Sequence, residues 1–311
     1  MAQPVAPPTV VVLGGINMDL IGVAPRMAAP GETVVGERFY TAPGGKGGNQ
    51  AVAAARMGAK VRMIGRVGSD VFGPGLLEAL RGHGVDVSGV ATDPDHASGI
   101  AMVLLDALRQ NRIVAIYGAN LRCDDRQLRA TETALEGADV LMLQLETPFD
   151  VSLRAARAAG ERGVTVVWDP APATVGLPDE AYRHLDVITP NQAEAEALTE
   201  IAVTDLGSAA RAAAALRDRG APTPVVKLGE HGVFYSSDSG QGRVPSREVE
   251  VVDTVAAGDA FGGALAVALG EGKGIEEALR YGTCAGALAV TRQGAQDAMP
   301  SRDEVEALLA S

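Results

Sequence analysis

The sequence predicts an α/β fold: a central, mostly parallel β-sheet flanked by helices on both faces, with a small β-sheet lid. Three observations predict it. From Asp139 onward, short apolar runs at 140–143, 164–168, 187–189 and 225–228 alternate with Ala-rich stretches of helical length. Such alternation implies parallel strands with crossover helices. Near the start, Thr9-Val10-Val11-Val12-Leu13 is β-branched and apolar and ends in Gly14-Gly15, which reads as a buried strand entering a tight loop. Finally, runs at 98–105 and 112–117 are joined at hairpin spacing by 106–111, and with the segment from about 20 to 40 they are expected to form a small sheet apart from the main body.

The remaining elements follow from local signals. The Gly44 to Gly48 loop precedes an Ala-rich helix from Asn49 that Gly58 would stop, and 61–67 reads as another strand. Ala/Leu-rich stretches at 260–269 and 276–290 read as helices packed on the sheet, and Ser301 with Glu304 has capping-box spacing. No repeat or low-complexity linker divides the chain. A single catalytic domain is expected over 1–311, with lid strands from about 17–43 and 96–118 inserted in it and a disordered, Pro-rich tail at 1–8.

Composition narrows the function. Of 311 residues, 47% are hydrophobic but only 4% aromatic, so a large core must be built from Ala, Val, Leu and Ile. The 39 Asp+Glu against 27 Lys+Arg give a net charge of −12, which disfavours nucleic acid and anionic membranes as partners. No apolar run reaches the roughly 18 residues of a membrane span, and the N-terminus lacks the pattern of an export signal. Cys123 and Cys284 lie far apart without metal-ligand spacing, so a cytoplasmic setting is expected.

The most informative stretch is Asp253-Thr254-Val255-Ala256-Ala257-Gly258-Asp259, which runs into an apolar helix. Ala256, Ala257 and Gly258 leave the first helical amides without side-chain cover, so they can cradle an anion. Asp259 would sit in the first turn, placed to accept a proton from a hydroxyl beside that anion, or else to serve as an acidic cap. In Gly44-Gly45-Lys46-Gly47-Gly48-Asn49, glycines admit a ligand close to the backbone while Lys46 and Asn49 supply polar groups. The loop is neither a P-loop nor a dinucleotide fingerprint, because Gly47 follows the lysine and Gln50 fills the third glycine position.

Asn17 and Asp19 alternate on one side of an extended segment and could hold adjacent hydroxyls, or form an Asx turn. Glu146 follows a buried strand, where open α/β sheets bind ligands. Asn191 and Glu194 precede a helix at a spacing that suits either a capping box or water around a divalent cation and phosphate. Lys227 ends a strand and could reach a nucleotide phosphate or remain a surface cation.

Together these residues resemble the PfkB-type carbohydrate kinases over nearly the whole chain, in particular the ribokinase branch. Gly14-Gly15-Ile16-Asn17-Met18-Asp19, the Gly44 to Ala53 segment, Leu143-Gln144-Leu145-Glu146, Asp169-Pro170-Ala171-Pro172-Ala173, Thr189-Pro190-Asn191-Gln192-Ala193-Glu194, the Asp253 to Asp259 signature and Ala289-Val290-Thr291-Arg292-Gln293-Gly294-Ala295 match the family's motifs in order. The resemblance implies a ribokinase-like fold and ATP-dependent phosphorylation of D-ribose at its 5-hydroxyl. Fructose, another ketose or adenosine is the alternative acceptor. It implies sugar contacts from Asn17, Asp19, Gly45, Lys46, Asn49, Glu146 and Asp259, with Asp259 as base and the amides of Ala256, Ala257 and Gly258 as anion hole.

By the same resemblance, ATP would meet Asn191, Lys227, Gly229, Ala257, Gly258 and Thr283, and Mg²⁺ would be managed through Asn191 and Glu194. K⁺ would be held at Asp253, Val255, Ala289, Arg292 and Gly294. Two residues depart from the family pattern: Ala298 stands where the cation loop commonly has a hydroxyl, and Thr283 where a His is often found near the adenine pocket. A homodimer is expected, because the small sheet would expose edges that a second copy could cover.

Overall fold

A nine-stranded sheet runs through the molecule, and a separate four-stranded sheet stands apart from it. The computed structural model describes residues 6–107, 111–173 and 177–311. In chain order the strands are β1 Thr9–Leu13, β2 Asn17–Val23, β3 Arg38–Gly44, β4 Lys60–Gly68, β5 Asp86–Asp93, β6 Gly99–Leu105, β7 Asn111–Ile116, β8 Val140–Leu143, β9 Thr165–Trp168, β10 Val187–Ile188, β11 Thr223–Lys227, β12 Val233–Ser237 and β13 Gly240–Val244. The α-helices are α1 Lys46–Arg56, α2 Gly73–Gly82, α3 Asp125–Ala134, α4 Phe149–Gly160, α5 Asp179–Tyr182, α6 Gln192–Thr199, α7 Leu206–Asp218, α8 Ala257–Gly270, α9 Ile275–Ala289 and α10 Arg302–Ala310.

The large sheet has the order β13-β12-β11-β10-β9-β8-β1-β4-β5. Pairing is parallel from β11 through β5 and antiparallel only at the β11-β12-β13 end. All five residues of β1 are buried. Because side chains alternate along a strand, Val10 and Val12 enter a core shared with α1, α8 and α9, while Val11 and Leu13 enter a second core with α3 and α4. Burial on both faces is why this strand reads as an unbroken apolar run rather than an alternation.

Small residues set the spacing of the helices over the first core. A Cβ built on Gly263 of α8 would lie 2.5 Å from the Cβ of Ala53 in α1, so the two backbones meet at a distance no larger pair would allow. The Ala- and Gly-rich composition is therefore a packing requirement, and it brings the polar start of α1 against the polar start of α8.

The small sheet has the order β3-β2-β6-β7, with β2–β3 and β6–β7 antiparallel and β2–β6 parallel. The expected hairpin is formed by β6 and β7, although residues 108–110 of its connection lie outside the described residues. In the strand register Phe39, Met102, Leu104, Val114 and Ile116 share one face and are all at least half exposed.

Some elements lie outside the sequence expectation. Strand β5 carries Asp, Ser and Gly among its apolar residues, α2 holds three glycines and a proline, and the β12–β13 hairpin is rich in Ser and Gly. Gly, Ser, Asp and Pro interrupt the local pattern of these segments, and packing on the sheet completes it. Residues 1–5 lie outside the described residues, but Pro8, within the expected tail, is buried and its carbonyl accepts the Lys60 N–H at 2.8 Å, extending the β1–β4 ladder. Among the described residues no helix is long and apolar enough to cross a membrane.

Candidate active site

From β1 the strand order runs to β4 and β5 on one side and to β8, β9, β10 and β11 on the other, so the winding of the sheet reverses between β1 and β8. Open α/β sheets bind ligands at such a switch point, beyond the carboxyl ends of the strands. Here that end gathers Asn17 after β1, Gln144 and Glu146 after β8, Asp169 after β9, Asn191 after β10 and Lys227 at the end of β11.

Asp259 is the buried centre of this region. It sits in the first turn of α8, is 4% exposed, and accepts hydrogen bonds from Asn49 Nδ2 at 3.0 Å and Gln50 Nε2 at 3.1 Å. Burial pushes its carboxyl above the ordinary range and Asp169 adds to this, whereas Lys46 and the bonds from Asn49 and Gln50 oppose it. The helix begins with Ala256 as its N-cap residue, in the left-handed region at φ 58°, and no side chain caps it. The Ala257 N–H faces the Thr254 carbonyl at 3.4 Å, while the Gly258 N–H makes no hydrogen bond among the described residues. An open amide therefore lies beside the carboxylate, with the helix dipole behind it. Lys227 Nζ closes the other side, 3.3 Å from a Cβ built on Gly258.

The expected sugar-binding residues lie around the same centre. Gly45 has φ 84°, and a Cβ there would sit 2.6 Å from Asn17 N, so only glycine lets the loop pass this close to the end of β1. The Lys46 N–H donates to Glu146 Oε2 at 2.8 Å, and Asn120 Nδ2 donates to Asn17 Oδ1 at 2.7 Å. Asp19 is raised to about 7 by burial and by the charge of Asp259. Glu146 also reaches about 7, through burial against the opposing pull of Lys46. Lys46 is held protonated despite burial by the carboxylates of Asp169, Asp259, Glu146 and Glu194. Asn49 Oδ1 is buried with no partner, an acceptor open towards a ligand hydroxyl.

On the other side, Asn191 bridges to Lys227, whose N–H donates to the Pro190 carbonyl at 2.8 Å. Asn191 and Glu194 form the capping box of α6, with bonds of 2.9 and 2.8 Å, so the structural half of the sequence expectation is met. Burial raises the Glu194 carboxyl, as does Asp169. Among the described residues no group of three His, Cys, Asp or Glu could hold a metal by itself.

The expected K⁺ residues also converge. Asp253 accepts from Val255 N and Gly294 N, both at 3.1 Å, and its own N–H donates to the Val290 carbonyl next to Ala289. The Arg292 side chain turns away to Glu304, and Ala298 is fully buried and offers no ligand. Gly229 opens a short 3₁₀ turn after β11. Thr283 is buried on α9, donates to the Arg280 carbonyl at 3.1 Å and lines a cavity of 570 Å³ with Arg247, Tyr281 and Cys284, away from the polar cluster.

Four residues assigned no role from the sequence belong to the site. Gln50 Nε2 donates to Asp169 Oδ2 at 3.2 Å as well as to Asp259, Gln144 Nε2 donates to Gln50 Oε1 at 2.6 Å, and Asp169 pairs with Lys227 at 2.9 Å and Lys46 at 3.6 Å. Asn120 is fully buried and joins Ile16 and Asn17. A polar residue directly after a buried strand, the signal that picked out Glu146, also marks Asp169. Nothing local marks Asn120.

The chain matches the model of the pfkB family of carbohydrate kinases over residues 8–302. It is similar to the ribokinase of Haemophilus influenzae, 41% identical over 296 residues that cover 95% of this chain and 96% of the relative. It is also 40% identical to the ribokinase of Bacillus subtilis over 304 residues, 96% of this chain and 98% of the relative. The structure of Arabidopsis thaliana ribokinase complexed with ribose and ATP superposes with a TM-score of 0.90 at 32% identity, covering 98% of this chain and 99% of that one. The fold is ribokinase-like, and the chain belongs to the pfkB family of carbohydrate kinases.

Proposed function

We propose that this carbohydrate kinase transfers the γ-phosphoryl group of ATP to the 5-hydroxyl of D-ribose, giving D-ribose 5-phosphate and ADP. The observation that carries the reading is the buried Asp259 carboxylate beside the open start of α8, bonded to Asn49 of the glycine loop. The ribokinases among its relatives and the ribose- and ATP-bound homologue support the choice of substrates.

Asn17, Asp19, Gly45, Lys46, Asn49 and Glu146 bind and orient the sugar. The hydroxyl oxygen attacks the γ-phosphorus, its proton passes to Asp259, the bond from phosphorus to the β,γ-bridging oxygen breaks, and ADP leaves with that oxygen. Asp259 need not be a strong base, because the hydroxyl becomes acidic as its bond to phosphorus forms. The amides of Ala256 and Gly258 and the Lys227 ammonium face the charge that spreads over the transferred group, and the Ala257 N–H, turned to the Thr254 carbonyl, would have to swing to join them. Asn191, Lys227 and Gly229 form the phosphate side of the nucleotide, and Thr283, on α9 away from that cluster, would meet its far end. Asn191 and Glu194 would orient water around Mg²⁺, which when bound with ATP neutralises phosphate charge, and the loop of Asp253, Val255, Ala289, Arg292 and Gly294 would hold K⁺.

A homodimer in the cytoplasm completes the reading. The exposed apolar face of the small sheet, with Phe39, Met102, Leu104, Val114 and Ile116, favours a second copy as its cover. ADP release measured with ribose, fructose and adenosine, with and without K⁺, tests the assignment. Ribose is expected to exceed the others in kcat/KM by at least about tenfold, and a preference for fructose or adenosine would transfer the assignment to that acceptor.

A further inference from the structure

We infer that Gln50 is a positioning residue for phosphoryl transfer, which locks the plane of the Asp259 carboxylate and ties it to the buried anion Asp169 between Lys46 and Lys227. The inference rests on Asp259 being the base. Rotation of an Asp carboxylate about its last torsion is soft, so the bond from Asn49 to one oxygen does not fix its plane. Gln50 supplies the second point, donating to the other oxygen at 3.1 Å. Each carboxylate oxygen then has one protein donor and keeps a lone pair for the incoming hydroxyl.

The orientation of Gln50 is itself determined. Its side chain is fully buried, and its two N–H groups are directed at Asp259 Oδ1 and Asp169 Oδ2. Reversing the amide would turn its carbonyl oxygen towards two acceptors, which a buried site does not tolerate. The carbonyl oxygen left on the far side must find a donor, and Gln144 Nε2 supplies it at 2.6 Å from the end of β8. Strand β8, helix α1 and helix α8 are thus joined by one directional chain of hydrogen bonds ending on the reacting carboxylate.

Asp169 connects this chain to both substrate sides. Burial raises its carboxyl, but Lys227 and Lys46 outweigh that and hold it below the ordinary range. The charged groups facing Asp259 are Lys46 from α1, Asp19 from β2, Glu146 after β8, Asp169 after β9 and Lys227 from β11. Gln50 is the neutral donor that lets the carboxylates of Asp259 and Asp169 stand close together.

Steady-state kinetics of Gln50→Met and Gln50→Glu at pH 6 to 8, beside Asp259→Asn, test the inference. Gln50→Met is expected to lower kcat about tenfold or more while KM for sugar and for ATP stays within about threefold, as for a misplaced catalytic group. Gln50→Glu keeps the shape but sets a third carboxyl between two, so its kcat should fall below that of Gln50→Met at pH 8 and recover towards it at pH 6. A residue that only fills space would leave the uncharged, similarly shaped Gln50→Met at wild-type kcat, and that result, or wild-type kcat for Gln50→Glu across the range, would overturn the inference. So would a Gln50→Met defect confined to KM. If Gln50→Met does not fold, as judged by circular dichroism, Gln144→Met decides: an approximately threefold loss of kcat is expected from the missing donor, and an unchanged kcat overturns the chain. Near-normal turnover by Asp259→Asn would remove the base assignment itself. An inactive Asp259→Asn beside wild-type Gln50 variants would remove only the present inference.

Discussion

Helices α8 and α10 carry an acidic residue at the same place, three positions after the N-cap, yet use it in opposite ways. In α10, Ser301 is extended, its hydroxyl accepts from the Glu304 N–H, and the Glu304 carboxylate turns back to the Ser301 N–H at 2.8 Å. The helix start is sealed. In α8 the N-cap is Ala256, left-handed and without a side-chain acceptor, and Asp259 reaches across to Asn49 and Gln50 instead of to its own backbone. Identical placement gives a structural cap in one helix and an exposed amide beside a poised carboxylate in the other. The difference lies in the residue three places earlier.

Four substitutions break or sharpen that contrast. The largest effect is expected for Gly258→Val, whose side chain enters the space between the open amide and Lys227; kcat should fall on the order of 10²-fold, while thermal denaturation shows a smaller loss of stability.

Asp19→Asn should act through pH. Because the folded carboxyl is raised to about 7 from the ordinary carboxylate range, its stabilising contribution is complete below the unfolded value and is lost as pH rises through 7. The melting temperature of the variant should exceed wild type at pH 8, by an amount on the order of 1 kcal/mol or a few degrees, and the gap should close towards pH 4. Ser301→Ala should cost about 1 kcal/mol with kcat unchanged. Ala256→Gly should raise stability by about 0.5–1 kcal/mol, relieving the left-handed alanine while activity is kept; a lower melting temperature would show that the Ala256 conformation carries no strain.

How much of this was legible in the sequence depends on how far apart the interacting residues lie. Strands β1 and β8 are buried on both faces and announce themselves as apolar runs, and the capping boxes of α6 and α10 lie within four residues. Strand β5 and the β12–β13 hairpin carry too many polar residues and glycines for their pattern to speak without the neighbours they pack on. In the site, Asp259, Asn49 and Glu146 stand in local contexts that suggest ligands. Gln50 appears from the sequence only as the residue that spoils a glycine fingerprint. Its contacts with Asp169 and Asp259 span 119 and 209 residues and exist because α1, β9 and α8 meet at the reversal in the sheet. Asn120, likewise, meets Asn17 across 103 residues.

The most direct test of the central claim separates binding from chemistry in Asp259→Asn. This isosteric change keeps the packing and removes the proton acceptor. Isothermal titration with ribose should give a dissociation constant within about threefold of wild type, while ADP release falls on the order of 10²- to 10⁴-fold. Turnover close to wild type in that variant, with ribose bound normally, would contradict the account.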